Sequence, residues 1–276
     1  IAAAAAALAR DGAVVIERAL DPGKCEALRA EMAPYVAEAA EEQWLLLDSA
    51  GEPTTSAGAC ASGCVLARSP ASWDFAQHPL ILELCEGVLG RQVLTKSADA
   101  LAEQFHPDRG FAQPPFTLDL SGLICIGAGG AAQKLHQDGG IHIPDLRRLT
   151  GLEARLSTVW ALSPFTEARA ATTLVLGSHR WGRERRPERG ECVCAEMAVG
   201  SVLLFTGALW HGAGGNQAPA EDRIGGPNTR FGLNIDYTLG WLRQEENQYI
   251  AVPLEVARSM PDSLLSLIGY EAASGG

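Results

Sequence analysis

From about residue 117 onward the chain is written in short apolar runs broken by turns, and that texture limits what it can fold into. Leu123 to Ile126, Leu156 to Leu162, Thr172 to Leu176, Ser201 to Phe205 and Phe231 to Tyr237 are rich in β-branched or aromatic residues. Gly, Pro and charged residues separate them. In the last run Leu233, Ile235 and Tyr237 alternate with Gly232, Asn234 and Asp236, a period of two that gives a strand one apolar and one polar face. Many short strands with this punctuation predict a sandwich or barrel.

The first 115 residues have a different texture. Ala2 to Ala9 is a strong helix former, Asp11-Gly12 breaks it, and Ala13 to Glu17 reads as a short strand. Asp21 can cap a helix with Pro22 at its first position. Cys25, Leu28, Met32 and Tyr35 then recur every three to four residues, and Pro34 marks a kink or an end. Gly51 to Gly63 reads as a loop, Leu80 to Val88 as a short helix, and Pro253 to Ile268 returns to helical spacing. There is no internal repeat and no low-complexity linker. The expectation is one catalytic domain over 1–276, with a mostly helical support over 1–115, a β core over 116–250 and a C-terminal helix over 251–276.

Composition excludes several classes. With 33 acidic against 22 basic residues the formal charge is −11, the wrong sign for a nucleic-acid coat. No stretch approaches the roughly 18 uninterrupted apolar residues of a membrane span. Ile1 to Leu8 lacks a basic flank and is cut by Arg10-Asp11-Gly12, which makes a poor signal peptide. The seven cysteines have no zinc-site spacing and read as free thiols of a reducing compartment. The expected setting is cytoplasmic, with the peroxisome or another organelle left open because the chain starts at Ile1 rather than Met.

Five of the six histidines lie between residues 106 and 211. In His136-Gln137-Asp138 an extended backbone puts His136 and Asp138 on one side. His211, from a later strand end, can add a third ligand. Two His and one carboxylate on one face leave coordination positions open, the arrangement of non-haem Fe(II) oxygenases. An H-x-D tripeptide alone is unspecific, and a lone His more often serves a structural hydrogen bond. The other four histidines read as structural or peripheral: His78 and His106 as surface residues, His142 as a pocket neighbour, His179 as a backbone-bonded turn residue. The run Arg183 to Arg189 is interleaved with acids and reads as a solvated loop. Trp160, Trp210 and Phe205 could line a site or simply fill the core.

Several strings in order resemble the phytanoyl-CoA dioxygenase family of Fe(II)/2-oxoglutarate oxygenases. They are LARDGAVV at Leu8 to Val15, His136-Gln137-Asp138, Gly177-Ser178-His179, His211-Gly212-Ala213-Gly214-Gly215-Asn216, Arg230-Phe231-Gly232-Leu233-Asn234 and the string from Gly240 to Tyr249. The last is similar to the natural-product-tailoring branches. The resemblance spans roughly residues 7 to 250. It implies a double-stranded β-helix, a jelly roll with a helical N-terminal wrap and C-terminal helix, in agreement with the strand pattern. It implies that His136, Asp138 and His211 bind Fe(II), and that Arg230 pairs with the distal carboxylate of 2-oxoglutarate. Arg223, in the turn-rich stretch Ala218 to Asn228, is the competing anchor. Gln133 and Thr172 are further cosubstrate candidates. The chain departs from the family at Arg169-Ala170-Ala171-Thr172, where Asn-Gly-Ala-Thr is usual, and at Leu176, where Pro is usual.

The expected activity is dioxygenation: O2 and 2-oxoglutarate are consumed to hydroxylate, desaturate or epoxidise a C–H bond of a small organic substrate, a natural product. Because Asp138 is present, the halide vacancy of related halogenases is not. The alternatives are an acyl-CoA hydroxylase of the same family, which the −11 charge disfavours, and a non-catalytic jelly-roll binding protein. A zinc hydrolase lacks an obvious general base. A monomer or homodimer is expected, with a small-molecule partner and no nucleic-acid or membrane partner.

Overall fold

A computed structural model describes residues 1–42, 59–90, 116–140, 151–182, 184–219 and 224–270. Helix α1 (Ala2–Asp11) ends where Gly12 takes the left-handed conformation, φ 81°, and returns its N–H to the Leu8 carbonyl. The chain then enters β1 (Ala13–Ile16). Helix α2 (Pro22–Glu42) starts with the Gly23 N–H donating to the Asp21 carboxylate at 2.7 Å. Pro34 does not end α2. Its ring faces solvent, while Cys25, Leu28, Met32, Val36 and Ala39 form one buried stripe on both sides of it. Each such side chain is worth about 1.5–3 kcal/mol of burial, enough together to outweigh the roughly 3 kcal/mol cost of an interior proline.

The expected loop before Gly63 contains β2 (Ala59–Ser62), held by pairing with β3 (Phe116–Ile126). Three short helices lie between them: α3 (Val65–Arg68), α4 (Trp73–Ala76) and α5 (Pro79–Cys85), the last running into a π turn over Glu86–Gly90. The remaining strands are β4 (Arg155–Ala161), β5 (Thr172–Leu174), β6 (Val193–Ala195), β7 (Val202–Thr206), β8 (His211–Ala213) and β9 (Arg230–Leu239). Strands β6 and β8 are too short to carry a period-two signal. The expected C-terminal helix is broken into α6 (Gln248–Ala251), α7 (Leu254–Ala257) and α8 (Asp262–Leu267), because Pro253 and Pro261 each restart the backbone.

The strands form two antiparallel sheets, ordered β1-β7-β4-β9-β3-β2 and β6-β5-β8. Alternation sends each strand's side chains to two cores. On the outer face Leu156, Trp160, Leu204, Leu233 and Tyr237 pack beneath α2 and the short helices. Between the sheets, Val159, Ala161, Leu203 and Phe205 meet Leu174, Ala195 and Leu209. This is the jelly roll, mainly antiparallel sheet with flanking helices. The polar face of β9 does not meet solvent, as a simple amphipathic strand would. Arg230 and Asp236 are buried between the sheets, on the side of the barrel where the histidines converge.

Candidate metal centre

The three expected ligands converge. His136 and His211 face each other as an antiparallel bridge, with both backbone bonds made, at 2.8 and 3.0 Å. That pairing puts both side chains on one side, with ring centroids 4.4 Å apart. Asp138 differs from the extended expectation, because the chain turns there into a 3-10 turn over Asp138–Gly140. The turn is clamped by the Gly139 N–H donating to the Gly207 carbonyl at 2.7 Å and by the Gln137 amide donating to the Ala208 carbonyl.

Each imidazole is oriented by a backbone carbonyl. His136 Nδ1 lies 3.0 Å from the Lys134 oxygen and His211 Nδ1 lies 3.0 Å from the Leu209 oxygen. With Nδ1–H donating, each Nε2 keeps its lone pair for a metal. The two Nε2 atoms stand 3.3 Å from Asp138 Oδ1 and Oδ2 respectively. Ligands about 2.1 Å from a metal and at right angles stand about 3 Å apart, so both His–Asp separations suit neighbouring positions of one octahedral face. His136, Asp138 and His211 therefore form a candidate iron site.

The electrostatics support the same geometry. Burial would raise the Asp138 carboxyl, but His211, His136 and Arg155 outweigh it and hold the group well below the usual carboxylate range. Burial pulls the His136 imidazole down, yet the hydrogen bond and charge of Asp138 leave it above its usual value. The Phe205 ring, 4.4 Å from that of His211, supplies an apolar wall.

The three cosubstrate candidates also come together. Thr172 opens β5 opposite Ala213 of β8, and the Gln133 side-chain oxygen accepts the Ala213 N–H at 3.1 Å. Arg230 opens β9 with its guanidinium 3.9 Å above the Phe165 ring and Nη2 3.3 Å from the Thr172 hydroxyl. Burial lowers Arg230 to about 9, still charged at neutral pH. Its Nε is buried without a partner, and no carboxylate pairs with it among the described residues. A buried cation of this kind is costly unless an anion joins it, and a fork of donors suits a carboxylate. The residues thus fit both a divalent metal and a dicarboxylate.

The other expectations separate. Arg223, His106 and His142 lie outside the described residues. His78 is half-buried rather than on the surface, 5.4 Å from Trp160 between ring centroids, with Nε2 near the Ala19 carbonyl. His179 is buried in its turn, with Nε2 3.3 Å from the Ala9 oxygen. Trp160 faces the outer core and does not line the site. In the basic loop, Arg185 stacks on Trp181 and pairs with Glu191, and Arg186 lies over Trp210. Sequence reasoning missed Ser157, whose hydroxyl is 3.4 Å from Asp138 Oδ2, and the buried ion cluster of Arg155, Asp119, Asp236 and Glu245. Only the polar positions on otherwise apolar strands could have flagged them.

The family model described as phytanoyl-CoA dioxygenase (PhyH) matches residues 8–225. The chain belongs to the phytanoyl-CoA dioxygenase family. A curated member of similar sequence, the dioxygenase swnH1 of Metarhizium robertsii, is 33% identical over 270 residues, covering 96% of this chain and 81% of that protein. Among solved structures, the non-haem α-ketoglutarate-dependent carbocyclase SnoK from nogalamycin biosynthesis superposes with a TM-score of 0.58 at 17% identity, over 94% of this chain and 90% of that one. HygX from Streptomyces hygroscopicus, solved with nickel, 2-oxoglutarate and hygromycin B bound, gives 0.57 at 14% identity, over 89% and 90%. At those identities the two structures show a shared jelly roll. As a member of the phytanoyl-CoA dioxygenase family with dioxygenase relatives, the protein is an oxygenase.

Proposed function

We propose that the protein is an Fe(II)- and 2-oxoglutarate-dependent dioxygenase acting on a C–H bond of a small natural product. His136, Asp138 and His211 hold the iron, and Arg230, helped by Thr172 and Gln133, holds 2-oxoglutarate. The observation that carries this reading is the pairing of a facial His-Asp-His set with a buried guanidinium that has no carboxylate partner among the described residues. Iron held there by His136, Asp138 and His211 would supply O2 activation coupled to the oxidative decarboxylation of 2-oxoglutarate. The chain's own residues do the rest. Lys134 and Leu209 carbonyls fix the two imidazole tautomers. Arg230 meets the distal carboxylate, and the Thr172 hydroxyl beside it holds the guanidinium plane. Phe165 and Phe205 keep water away from the reacting groups.

HygX was solved with hygromycin B bound, and SnoK comes from nogalamycin biosynthesis. Those likenesses and the string from Gly240 to Tyr249 support a natural-product substrate here. The −11 charge disfavours the polyanionic acyl-CoA alternative. Residues 1–276 serve one catalytic unit, since β1 pairs with β7 of the core and the Thr206 N–H donates to the Gly12 carbonyl at 2.9 Å. Six described cysteines without disulfides support a reducing, cytoplasmic setting, and no helix among the described residues is long and apolar enough to cross a membrane.

The test is anaerobic addition of Fe(II) and 2-oxoglutarate, which should give a visible charge-transfer band. His136→Ala and Asp138→Ala should lose it and should lose succinate formation. Arg230→Met should bind metal but weaken 2-oxoglutarate by at least tenfold; if an Arg223 variant does so instead, Arg223 is the anchor. Succinate formation with a panel of natural products against a panel of acyl-CoA esters separates the two substrate classes.

A further inference from the structure

Arg155 opens β4 and is only 2% exposed, although it carries a charged guanidinium. Its guanidinium is held from three elements: Asp119 of β3 at 3.2 Å, Asp236 of β9, and Glu245 beyond β9 at 2.7 Å. Burying such a cluster gains little over apolar packing of the same volume, because desolvation consumes most of the attraction. Its place in the barrel is more informative. The Arg155 carbonyl accepts the Gly207 N–H at 2.8 Å, and the Gly207 carbonyl accepts the N–H of Gly139, the residue after Asp138, at 2.7 Å.

These three backbones touch. A Cβ on Gly207 would stand 3.0 Å from both the Arg155 Cβ and the Gly139 Cα, and a Cβ on Gly139 would stand 3.0 Å from the Gly207 carbonyl carbon. A methyl group on either glycine would press on the facing backbone, which would have to give by a few tenths of an ångström. A second route starts two residues along the same face of β4, where the Ser157 hydroxyl lies 3.4 Å from Asp138 Oδ2. Ser157 is also the register partner of Asp236, one of the carboxylates that hold Arg155. One connection from β4 thus ends at the backbone next to Asp138 and the other at its carboxylate.

We propose that Arg155 is a positioning residue of the metal centre: it fixes the start of β4, and through Gly207–Gly139 and through Ser157 it sets where Asp138 stands relative to His136 and His211. The inference rests on reading His136, Asp138 and His211 as metal ligands. An arginine is needed because its planar fork reaches carboxylates on several strands at once, whereas a lysine offers one point charge.

The test uses Co(II) as the probe, added anaerobically to the full chain, because its visible d–d spectrum reports ligand geometry without turnover. The variants are Arg155→Lys, Arg155→Met and Ser157→Ala, with Leu28→Ala in α2 as a control that loses thermal stability far from the site. Outer groups that orient metal ligands typically contribute 10–100-fold in affinity. Arg155→Met should weaken Co(II) by about tenfold or more and shift the d–d bands, Arg155→Lys should recover part of both, and Ser157→Ala should shift the bands less. Leu28→Ala should melt earlier with the wild-type spectrum. If Arg155→Met does not fold, Arg155→Lys and Ser157→Ala decide. Wild-type affinity and bands in the folded Arg155 and Ser157 variants would overturn the positioning role. Failure of the wild-type protein itself to bind Co(II), or binding that survives His136→Ala unchanged, would instead overturn the metal-centre reading beneath it.

Discussion

Gly232 shows how closely the Arg230 guanidinium is placed. A Cβ there would stand 2.9 Å from Arg230 Nη1 and 3.0 Å from Phe165 Cζ, so the guanidinium lies over the bare backbone of its own strand. Gly232→Ala should therefore push Arg230 off the Phe165 ring and raise the KM for 2-oxoglutarate roughly tenfold, about 1.4 kcal/mol, while Co(II) affinity holds. Calorimetric titration with 2-oxoglutarate checks this, and an unchanged affinity would show that the guanidinium has room to move. His136 gives a pH prediction of definite sign. Its imidazole titrates above the usual value because of Asp138, despite burial. In the metal-free protein that shift stabilises the fold below the unfolded value of about 6.5 and is lost as pH rises through the folded value. Metal binding runs the other way, since it needs the neutral ring. Co(II) affinity should fall by at least one log unit per pH unit below about pH 6, measured by competition with a chelator. A flat profile from pH 5 to 6 would remove His136 from the ligand set. At this scale the His-Asp-His cluster was legible because few residue types bind iron. Ser157 and Arg155 were not, since a Ser or Arg on a strand has many ordinary uses.

At the scale of elements, β9 was the most legible and the most misleading. Its period of two is correct, with Leu233, Ile235 and Tyr237 on one apolar face. Period two states that two faces differ, and it cannot state which one meets water. In β9 the polar face turns inward because a reactive centre needs polar groups in a place water does not freely reach. The departure at Arg169-Ala170-Ala171-Thr172 has a structural counterpart. Ala170 has φ 53°, the left-handed region that favours Gly. An L-residue there costs about 1–2 kcal/mol, partly offset by the freedom glycine regains on unfolding. Ala170→Gly should therefore stabilise the fold by about 0.5 kcal/mol in urea denaturation, with Thr172 and its contact to Arg230 kept in place. A loss of stability would mean that the buried methyl packs better than its backbone is strained. Pro34 shows the opposite override, a helix breaker tolerated because its ring faces solvent and the buried stripe continues past it. Strands β6 and β8 escaped notice because three residues hold no periodic signal.

For the whole molecule, the jelly roll was legible in outline from the spacing of turns, but its strand order was not. The neighbours β1-β7-β4-β9-β3-β2 are distant in sequence, and nothing local encodes which strand pairs with which. The centre depends on this non-local order, since β8 and the segment before it bring His211 to His136 and β4 supports Asp138. A metal that binds only the assembled barrel must stabilise all of it. Co(II) at about one hundred times its dissociation constant should add about 2.7 kcal/mol, or roughly 5–10 °C in Tm for a chain of this size. A scanning calorimeter reads this directly, and the shift should vanish in Asp138→Ala.

The bridge between His136 and His211 carries a further consequence. Two of the three ligands are opposite rungs of one ladder, joined by two backbone bonds. A slip of one residue in that pairing would put the two imidazoles on opposite faces, so the metal recognises the register of the sheet as much as it recognises side chains. It acts as a removable staple between segments far apart in the chain. A chelator should therefore do more than silence the enzyme: it should loosen the edge where residues 131–136 meet β8, and amide exchange there should quicken before the rest of the barrel responds.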